Sequence, residues 1–232
     1  MAVADGQEAA LFLDFDGTLV DIAARPDAVE VEPDLPGVLA DLRGRLGGAV
    51  AIVTGRTIAD FDARLPGTGL DICGLHGLER RVGGMVTRPD LADLSDEIAA
   101  LRERFADRPG ILVESKTVGV ALHWRLAPDA EADAMAALDA LAARLGPSYR
   151  IQDGKSVREL VPASAGKGGA IRALMEQPGY SGRVPVFAGD DKTDEHGFDA
   201  VNALGGVSIK VGDGVTIARH RCPTARAFRD WL

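Results

Sequence analysis

The stretch LFLDFDGTLV, residues 11–20, places two acidic side chains, Asp14 and Asp16, between an apolar run and the pair Gly17 and Thr18. A short apolar run before a glycine turn is typical of a buried strand in a parallel sheet. Ligands of such sheets bind beyond the carboxyl ends of the strands, where these carboxylates would lie. Because a buried acid is costly unless a metal or another partner compensates it, the decapeptide predicts an enzyme.

The composition excludes several classes of protein. The chain has 232 residues, of which 46% are hydrophobic and 26% charged, as in soluble globular proteins. Its net charge of −9 argues against binding to duplex nucleic acid, which requires a cationic face. No apolar run approaches the roughly 20 residues that span a bilayer, so no membrane partner is expected.

The N-terminus and the cysteines indicate a cytoplasmic protein. The first ten residues contain acids where a signal peptide has basic residues. Cys73 and Cys222 lack the spacing of metal ligands and are expected to be buried thiols in a reducing cytoplasm.

Strand-like and helix-like segments alternate towards both ends of the chain. Apolar strands ending in turns or acids are predicted at residues 11–14, 49–56, 70–75 and 184–191. The middle differs, because period-two alternation over residues 118–125 suits an antiparallel sheet with one covered face. We therefore predict an α/β core with a parallel sheet, interrupted after its third strand by an α+β insert. The predicted core comprises residues 1–83 and 162–232, and the insert residues 84–161.

Polar motifs occur where four of the predicted elements begin or end. They are Asp14-x-Asp16-Gly17-Thr18, Thr54-Gly55-Arg56, Lys167 at a helix start, and the run Gly189–Glu195. Each motif alone is weak evidence for a functional site, since a threonine after a strand is commonly a helix cap and an acidic run is commonly a polar loop. Their combination in one chain is much harder to obtain by chance.

The order of these motifs resembles the haloacid dehalogenase-like (HAD) phosphatases, whose first motif is an apolar strand followed by DxDGT. Asp14, Thr54, Lys167 and Asp190 match the four motifs of that superfamily in order. The resemblance covers nearly the whole chain. It implies a Rossmann-like parallel-sheet core with an inserted cap domain of the C2 type.

The chemistry of phosphate esters fits these residue types. Asp14 would attack phosphorus and form an aspartyl phosphate, which splits one hard step into two. Asp16 would protonate the leaving oxygen and later deprotonate the hydrolytic water. Thr54 and Lys167 would hold the phosphoryl oxygens, with amides of the turn at Gly55 as further donors.

A cation is needed between the carboxylate and the phosphate, which otherwise repel each other. Asp14, the backbone carbonyl of Asp16, and Asp190 offer oxygen ligands suited to Mg²⁺, which is the expected cofactor. Asp191 and Asp194 either ligate this metal or order the loop and the metal-bound waters.

Several segments resemble one group within the superfamily, the trehalose-6-phosphate phosphatases. They are DFDGTLVDIAARPD, TGR, GLHGLER, ESKTVGVALHWR, DGKSVRELVP and GDDKTDE. The resemblance implies hydrolysis of trehalose 6-phosphate to trehalose and phosphate, within trehalose biosynthesis. It also implies that charged side chains of the insert bind the hydroxyls of the disaccharide. These are Glu114, Lys116, Arg125, Lys155 and Glu159.

Physical chemistry supports such a set, because charged groups form strong directional hydrogen bonds with hydroxyls. Glu114 and Lys116 would share one face of a strand, as would Lys155 and Glu159 if their segment is extended. Near the second motif, Gly55 and Arg56 are expected to contact substrate. His76 either bonds the backbone of its turn or donates to substrate.

Other interpretations remain open at this point. A capped phosphatase acting on sucrose 6-phosphate or mannosyl-3-phosphoglycerate is the nearest alternative, and a silent subunit that binds a sugar phosphate or a synthase is another. The expected partner is a small-molecule sugar phosphate, with a trehalose-6-phosphate synthase in the same pathway, and the expected state is a monomer. Glycine and proline at residues 83–84 and 161–163 suggest that the cap moves about these two crossings.

Overall fold

The computed structural model describes residues 8–23, 28–88, 91–116 and 118–232. Residues 24–27 of the quoted DFDGTLVDIAARPD segment and residue 117 of ESKTVGVALHWR lie outside these ranges. The chain divides into two compact units, the first comprising Met1–Pro89 with Ala165–Leu232 and the second Asp90–Ser164. Among the described residues, no helix has the length and apolar character needed to cross a membrane.

The elements alternate along the chain. In order they are β1 (Ala9–Leu13), α1 (Leu35–Arg45), β2 (Val50–Val53), α2 (Ile58–Arg64), β3 (Asp71–Gly74), β4 (Glu79–Val82), β5 (Met85–Thr87), α3 (Ser95–Arg104), β6 (Leu112–Lys116), β7 (Gly119–His123), α4 (Glu131–Leu145), β8 (Tyr149–Gly154), β9 (Val157–Pro162), α5 (Lys167–Met175), β10 (Val184–Gly189), α6 (Glu195–Ala203), β11 (Val207–Val211), β12 (His220–Cys222) and α7 (Ala225–Trp231).

The first unit contains an eight-stranded sheet in the order β12-β11-β10-β1-β2-β3-β4-β5. The pairs from β12 to β3 are parallel, and β3, β4 and β5 pair antiparallel. Strand β1 lies between β10 and β2, with Leu11 opposite both Val186 and Val50. The carboxyl ends of these three strands therefore meet, and the motifs that follow them are brought together.

Apolar side chains cover both faces of this sheet. Leu11 and Leu13 pack in one cluster with residues of α1, α2 and α7, and the alternating Phe12 packs in another with residues of α5 and α6. A strand buried on both faces has an uninterrupted apolar sequence, as AALFL does. The prediction of a parallel α/β core is confirmed.

Gly83 and Gly84 form the turn between β4 and β5, inside the core sheet, and not a crossing between units. The second unit accordingly begins at Asp90 and follows the fifth strand, whereas the sequence placed the insert at residue 84 after the third strand. Val161 and Pro162 similarly lie in β9, so the crossings predicted at both glycine and proline sites were misplaced. The reason is that a Gly-Gly pair suits a hairpin turn as well as a linker.

The second unit has a four-stranded antiparallel sheet in the order β6-β7-β9-β8. Its first two strands, β6 and β7, are neighbours in sequence and pair with each other. Val120, Leu122 and Leu160 pack against apolar residues of α3 and α4, which confirms the prediction of one covered face. That this unit acts as a cap stays a prediction.

Candidate active site

Asp14 directly follows β1, and its backbone N–H donates to Ala188 O on β10 at 3.0 Å. Lys167, the first residue of α5, reaches this carboxylate with Nζ 2.8 Å from Asp14 Oδ1. The same ammonium lies 2.6 Å from Asp194 Oδ1. All three side chains are nearly inaccessible to water, so their charges interact in a medium of low polarity.

The protonation of this cluster depends on burial. Burial raises the pKa of Asp14 above its ordinary value, although Lys167 opposes the effect. Burial and the charge of Asp14 raise the pKa of Asp194 to about 7. Burial alone would lower the pKa of Lys167, but the two carboxylates outweigh it and raise that pKa. Lys167 therefore stays charged and is shared by two acids.

Asp194 organises the acidic loop that follows β10. Its Oδ2 accepts hydrogen bonds from the backbone N–H groups of Asp190 and Asp191, both at 2.9 Å. Its Oδ1 accepts from Lys167 Nζ. Asp191 has a local role as well, because its Oδ1 accepts from the N–H and the hydroxyl of Thr193 at 2.6 and 2.7 Å. Both acids order the loop, one of the two alternatives drawn from the sequence.

The carboxylates of Asp14, Asp190 and Asp194 can offer oxygen atoms within 4.8 Å of one another. Asp190 reaches this position beside Gly17, whose φ is 75° and whose missing Cβ would collide with Asp190 Oδ2. Only glycine permits both the left-handed turn and this approach. Burial and the charges of Asp194 and Asp191 raise the pKa of Asp190. An oxygen-only group with excess negative charge fits a hard divalent cation.

The second motif forms a turn after β2 that is tied to two other segments. Thr54 is buried and its Oγ1 accepts from Arg56 N at 3.2 Å. His76 donates its backbone N–H to Thr54 O at 2.9 Å and accepts from Gly166 N at 2.8 Å. His76 thereby connects the Thr54 turn to the residue before Lys167.

The side chain of His76 lies against the same turn. A Cβ on Gly55 would fall 2.9 Å from both Cε1 and Nε2 of the imidazole, so this glycine leaves room for the ring. Burial and the Lys167 cation lower the pKa of His76. A neutral imidazole is therefore favoured at this position.

Arg56 binds acids within the first unit. Its Nε and Nη2 donate to the two carboxylate oxygens of Asp16, each at 2.7 Å. Its Nη1 donates to Asp60 Oδ2 at 2.6 Å. The sequence grouped Arg56 with the substrate-binding residues and gave Asp60 no role. An acid four residues after an arginine at a helix start was the available signal.

Lys210 is a second residue that sequence reasoning missed. It lies on β11, is only 5% exposed, and donates from Nζ to the backbone carbonyl of Asp190. A lysine within a buried strand that is otherwise mostly apolar, SIKV, was a signal for it.

Part of the expected sugar-binding set shares one face of the sheet in the second unit. Glu114 lies opposite Ala121, which in turn lies opposite Glu159, so their side chains point to the same side. Glu114 pairs with Lys116 at 2.7 Å and with His123 at 2.8 Å, and hydrogen bonds from these two lower its pKa.

The remaining two members of that set lie in loops. Arg125 follows β7 and is exposed, and Lys155 is exposed in the turn between β8 and β9. Lys155 and Glu159 were expected to share a face only if their segment is extended. The turn at Lys155 means that this condition is not met. The hydrogen bond from Trp124 N to Ser156 O, 3.0 Å long, brings the two loops to the same end of the sheet.

Comparison with known proteins identifies the family. Residues 12–221 match the family model described as Trehalose-phosphatase. The chain belongs to the trehalose-phosphatase family. A probable trehalose-phosphate phosphatase of Sinorhizobium fredii is 44% identical over 95% of this chain and 84% of the relative. A trehalose-6-phosphate phosphatase of Escherichia coli is 39% identical over 96% of this chain and 85% of its own.

A solved structure shows the same fold in this family. The trehalose-6-phosphate phosphatase of Aspergillus fumigatus superimposes with a TM-score of 0.81 at 25% identity, covering 97% of this chain and 90% of that chain. The HAD-like fold class inferred from the motifs is confirmed. The Asp14, Asp190 and Asp194 cluster offers oxygen donors that fit a divalent metal.

Proposed function

We propose that this member of the trehalose-phosphatase family is a Mg²⁺-dependent phosphatase that hydrolyses trehalose 6-phosphate to trehalose and phosphate. The observation that carries the proposal is the buried pairing of Asp14 with Lys167 beside Asp190, where β1 and β10 end. Relatives that share 39% and 44% of its residues are named for this activity.

Asp14 is the proposed nucleophile. Its Oδ1 is held by Lys167, which fixes one carboxylate oxygen and leaves the other to attack phosphorus in line. The phosphorus–oxygen bond to the sugar breaks as the aspartyl phosphate forms. Water then attacks this intermediate and releases phosphate. Lys167 and the hydroxyl of Thr54 are proposed to bind the phosphoryl oxygens, whose negative charge would be stabilised in a site with little water.

Asp16 is the proposed acid and base. It would give a proton to the departing sugar oxygen in the first step and take one from water in the second. Its carboxylate has a defined orientation because Arg56 donates to both of its oxygens.

A divalent cation would be held by Asp14, Asp190 and the backbone carbonyl of Asp16, with Asp194 and Asp191 ordering the loop that presents Asp190. When bound, Mg²⁺ would neutralise charge on the phosphoryl group and act as a Lewis acid. The octahedral preference of Mg²⁺ for oxygen ligands agrees with this donor set.

The disaccharide is proposed to bind the polar sheet face of the second unit through Glu114, Lys116 and Glu159. The existing Glu114–Lys116 pair shows that these groups are partly desolvated and preorganised for hydrogen bonding. Arg125 and Lys155, in the two loops at one end of that sheet, are proposed as further contacts.

The test measures phosphate release from trehalose 6-phosphate, sucrose 6-phosphate, mannosyl-3-phosphoglycerate and glucose 6-phosphate, with and without Mg²⁺. We expect kcat/KM for trehalose 6-phosphate to exceed the others by at least about 100-fold, because several hydrogen bonds distinguish the sugars. Equal rates across the panel would contradict the substrate, and no turnover of any ester would favour a silent binding subunit.

The proposal also places the enzyme in the cytoplasm, as a monomer that acts on the product of a trehalose-6-phosphate synthase. Size-exclusion chromatography tests the monomer, and its repetition with the synthase tests for a complex.

A further inference from the structure

Asp16 and Asp60 are both ion-paired with the same arginine, Arg56. Arg56 joins them, since the edge of its guanidinium formed by Nε and Nη2 donates to both oxygens of Asp16, and Nη1 donates to Asp60 Oδ2 at 2.6 Å. The planar group is thus fixed at two separate edges, and a rotation that would release Asp16 would also break the contact with Asp60.

The orientation of the Asp16 carboxylate depends on such a partner more than that of Asp14 does. The side chain of Asp14 is 6% exposed and is held by Lys167, whereas that of Asp16 is 38% exposed. A carboxylate in partial contact with water samples several rotamers unless a partner selects one. The bidentate bond from Arg56 selects one plane for the carboxyl group of Asp16.

The position of Asp60 is itself fixed by the first turn of α2. Its backbone N–H donates to Oγ1 of Thr57, the N-cap, at 3.0 Å. The buried Glu79 of β4 accepts from Ile58 N at 2.9 Å, which ties the same turn to the core sheet. The second oxygen of Asp60 accepts from Arg64, so the carboxylate is oriented by an arginine at each oxygen.

We propose that Asp60 is a positioning residue for proton transfer: through Arg56 it fixes the carboxyl group of Asp16 where that group protonates the departing oxygen. This inference rests on the proposed function, in which Asp16 is the acid. It changes the expected role of Arg56 from contact with substrate to orientation of Asp16.

The leaving group of the substrate distinguishes a positioning role of Asp60 from a merely structural one. A sugar alkoxide is a poor leaving group and requires the proton, whereas p-nitrophenolate leaves without one. Loss of Asp60 therefore lowers kcat/KM for the sugar phosphate and spares kcat/KM for p-nitrophenyl phosphate, because this constant reports only the steps up to formation of the aspartyl phosphate, in which attack by Asp14 is common to both substrates. The later attack by water, for which Asp16 is the proposed base, is the same for both substrates and does not enter kcat/KM. A general loss of folding would slow both alike.

The experiment compares Asp60→Asn with Asp62→Asn on the same helix. Asp62 is a matched control, since it pairs with Arg81 at 2.6 and 2.9 Å and is 42% exposed, close to the 38% of Asp60. We expect Asp60→Asn to lower kcat/KM on trehalose 6-phosphate by about 10- to 100-fold, as small misplacements of reacting groups do. Its kcat/KM on p-nitrophenyl phosphate should change by less than about threefold, since p-nitrophenolate leaves without the transferred proton. Both kcat/KM values of Asp62→Asn should change as little, because Asp62 pairs with Arg81.

Two further variants separate the possible results. Arg56→Lys cannot donate from a planar fork, so it should show the same selective loss of kcat/KM. Asp60→Glu, which keeps the charge, should recover most of the kcat/KM on the sugar phosphate. An equal loss on both substrates in Asp60→Asn, or full turnover of the sugar phosphate by Arg56→Lys, would overturn the inference.

Asp16→Asn shows which proposal fails. If it loses kcat/KM selectively on the sugar phosphate but Asp60→Asn and Arg56→Lys do not, the inference alone is wrong. If Asp16→Asn has no such selectivity, the acid role in the proposed function is wrong, and the inference falls with it. If the wild type does not hydrolyse trehalose 6-phosphate, the substrate is wrong, and the same criteria apply with glucose 6-phosphate as the alkyl ester.

Discussion

Ion pairs of nearly equal length occur in both units of the chain, between Lys167 and Asp14 at 2.8 Å in the first and between Lys116 and Glu114 at 2.7 Å in the second. Their surroundings differ. The side chains of the first pair are 3% and 6% exposed, and those of the second 37% and 39%. The same contact is therefore made almost without water in one unit and in partial contact with water in the other.

This difference separates two kinds of chemistry. In the buried pair, solvent screens neither charge. The two partners therefore interact strongly with each other and with any charged group that binds beside them. In the exposed pair, water already competes for both partners, and a ligand hydroxyl can replace that water at little cost. The first setting suits a reacting phosphoryl group and the second suits recognition of a neutral sugar.

The comparison is tested most severely by Asp14→Asn. An amide cannot form the aspartyl phosphate, so we expect kcat for phosphate release to fall by at least about 10⁴-fold. Lys167 keeps Asp194 as a partner, so the fold should remain. Circular dichroism and thermal unfolding of the variant are the controls. Retained turnover would refute the assignment of the nucleophile.

The same substitution in the two pairs measures what burial contributes. Lys167→Met leaves two buried acids without their cation and should lower the free energy of unfolding by about 3–5 kcal/mol. Lys116→Met removes an exposed partner and should cost less than about 1 kcal/mol. Urea unfolding at pH 8 with a chelator present provides both values. Equal losses would show that the exposure of an ion pair does not govern its contribution to the free energy of unfolding.

Gly17→Ala tests the approach of Asp190 to the first motif. The added Cβ would collide with the Asp190 carboxylate, so we expect the affinity for Mg²⁺ to fall at least about tenfold in titration calorimetry. Gly84→Ala is the matched control, because its φ of 83° imposes similar backbone strain with no atom within 4 Å of the new Cβ. Similar affinities in both variants would remove Asp190 from the cation site.

Glu114→Gln is expected to have the smallest effect. It weakens charged hydrogen bonds on the polar sheet face, so KM for trehalose 6-phosphate should rise about fivefold while kcat on p-nitrophenyl phosphate is unchanged. Glu97→Gln, in α3 of the same unit and paired with Arg144, should leave both constants unchanged. A rise in KM for both variants would point to a general effect on the second unit instead of sugar binding.

The sequence was informative where a local pattern carries its own physical meaning. The apolar run before Asp14 predicted β1, and Thr54 and Lys167 were placed correctly at a strand end and a helix start. It was less informative at Gly83–Gly84, where a turn and a linker have the same composition. Lys155 was misjudged for a similar reason, since nothing local distinguished the β8–β9 turn from an extended segment.

The sequence by itself determined the family, because the motifs that carry the resemblance are contiguous. The reactive side chains that it named stay a prediction. Only the tertiary structure decided how those side chains are paired. Lys167 is shared by Asp14 and Asp194, which lie 180 residues apart along the chain, and Arg56 is held between Asp16 and Asp60. The physical reason is that burial, charge and pKa depend on neighbours brought from distant segments by the sheet, and no local pattern records them.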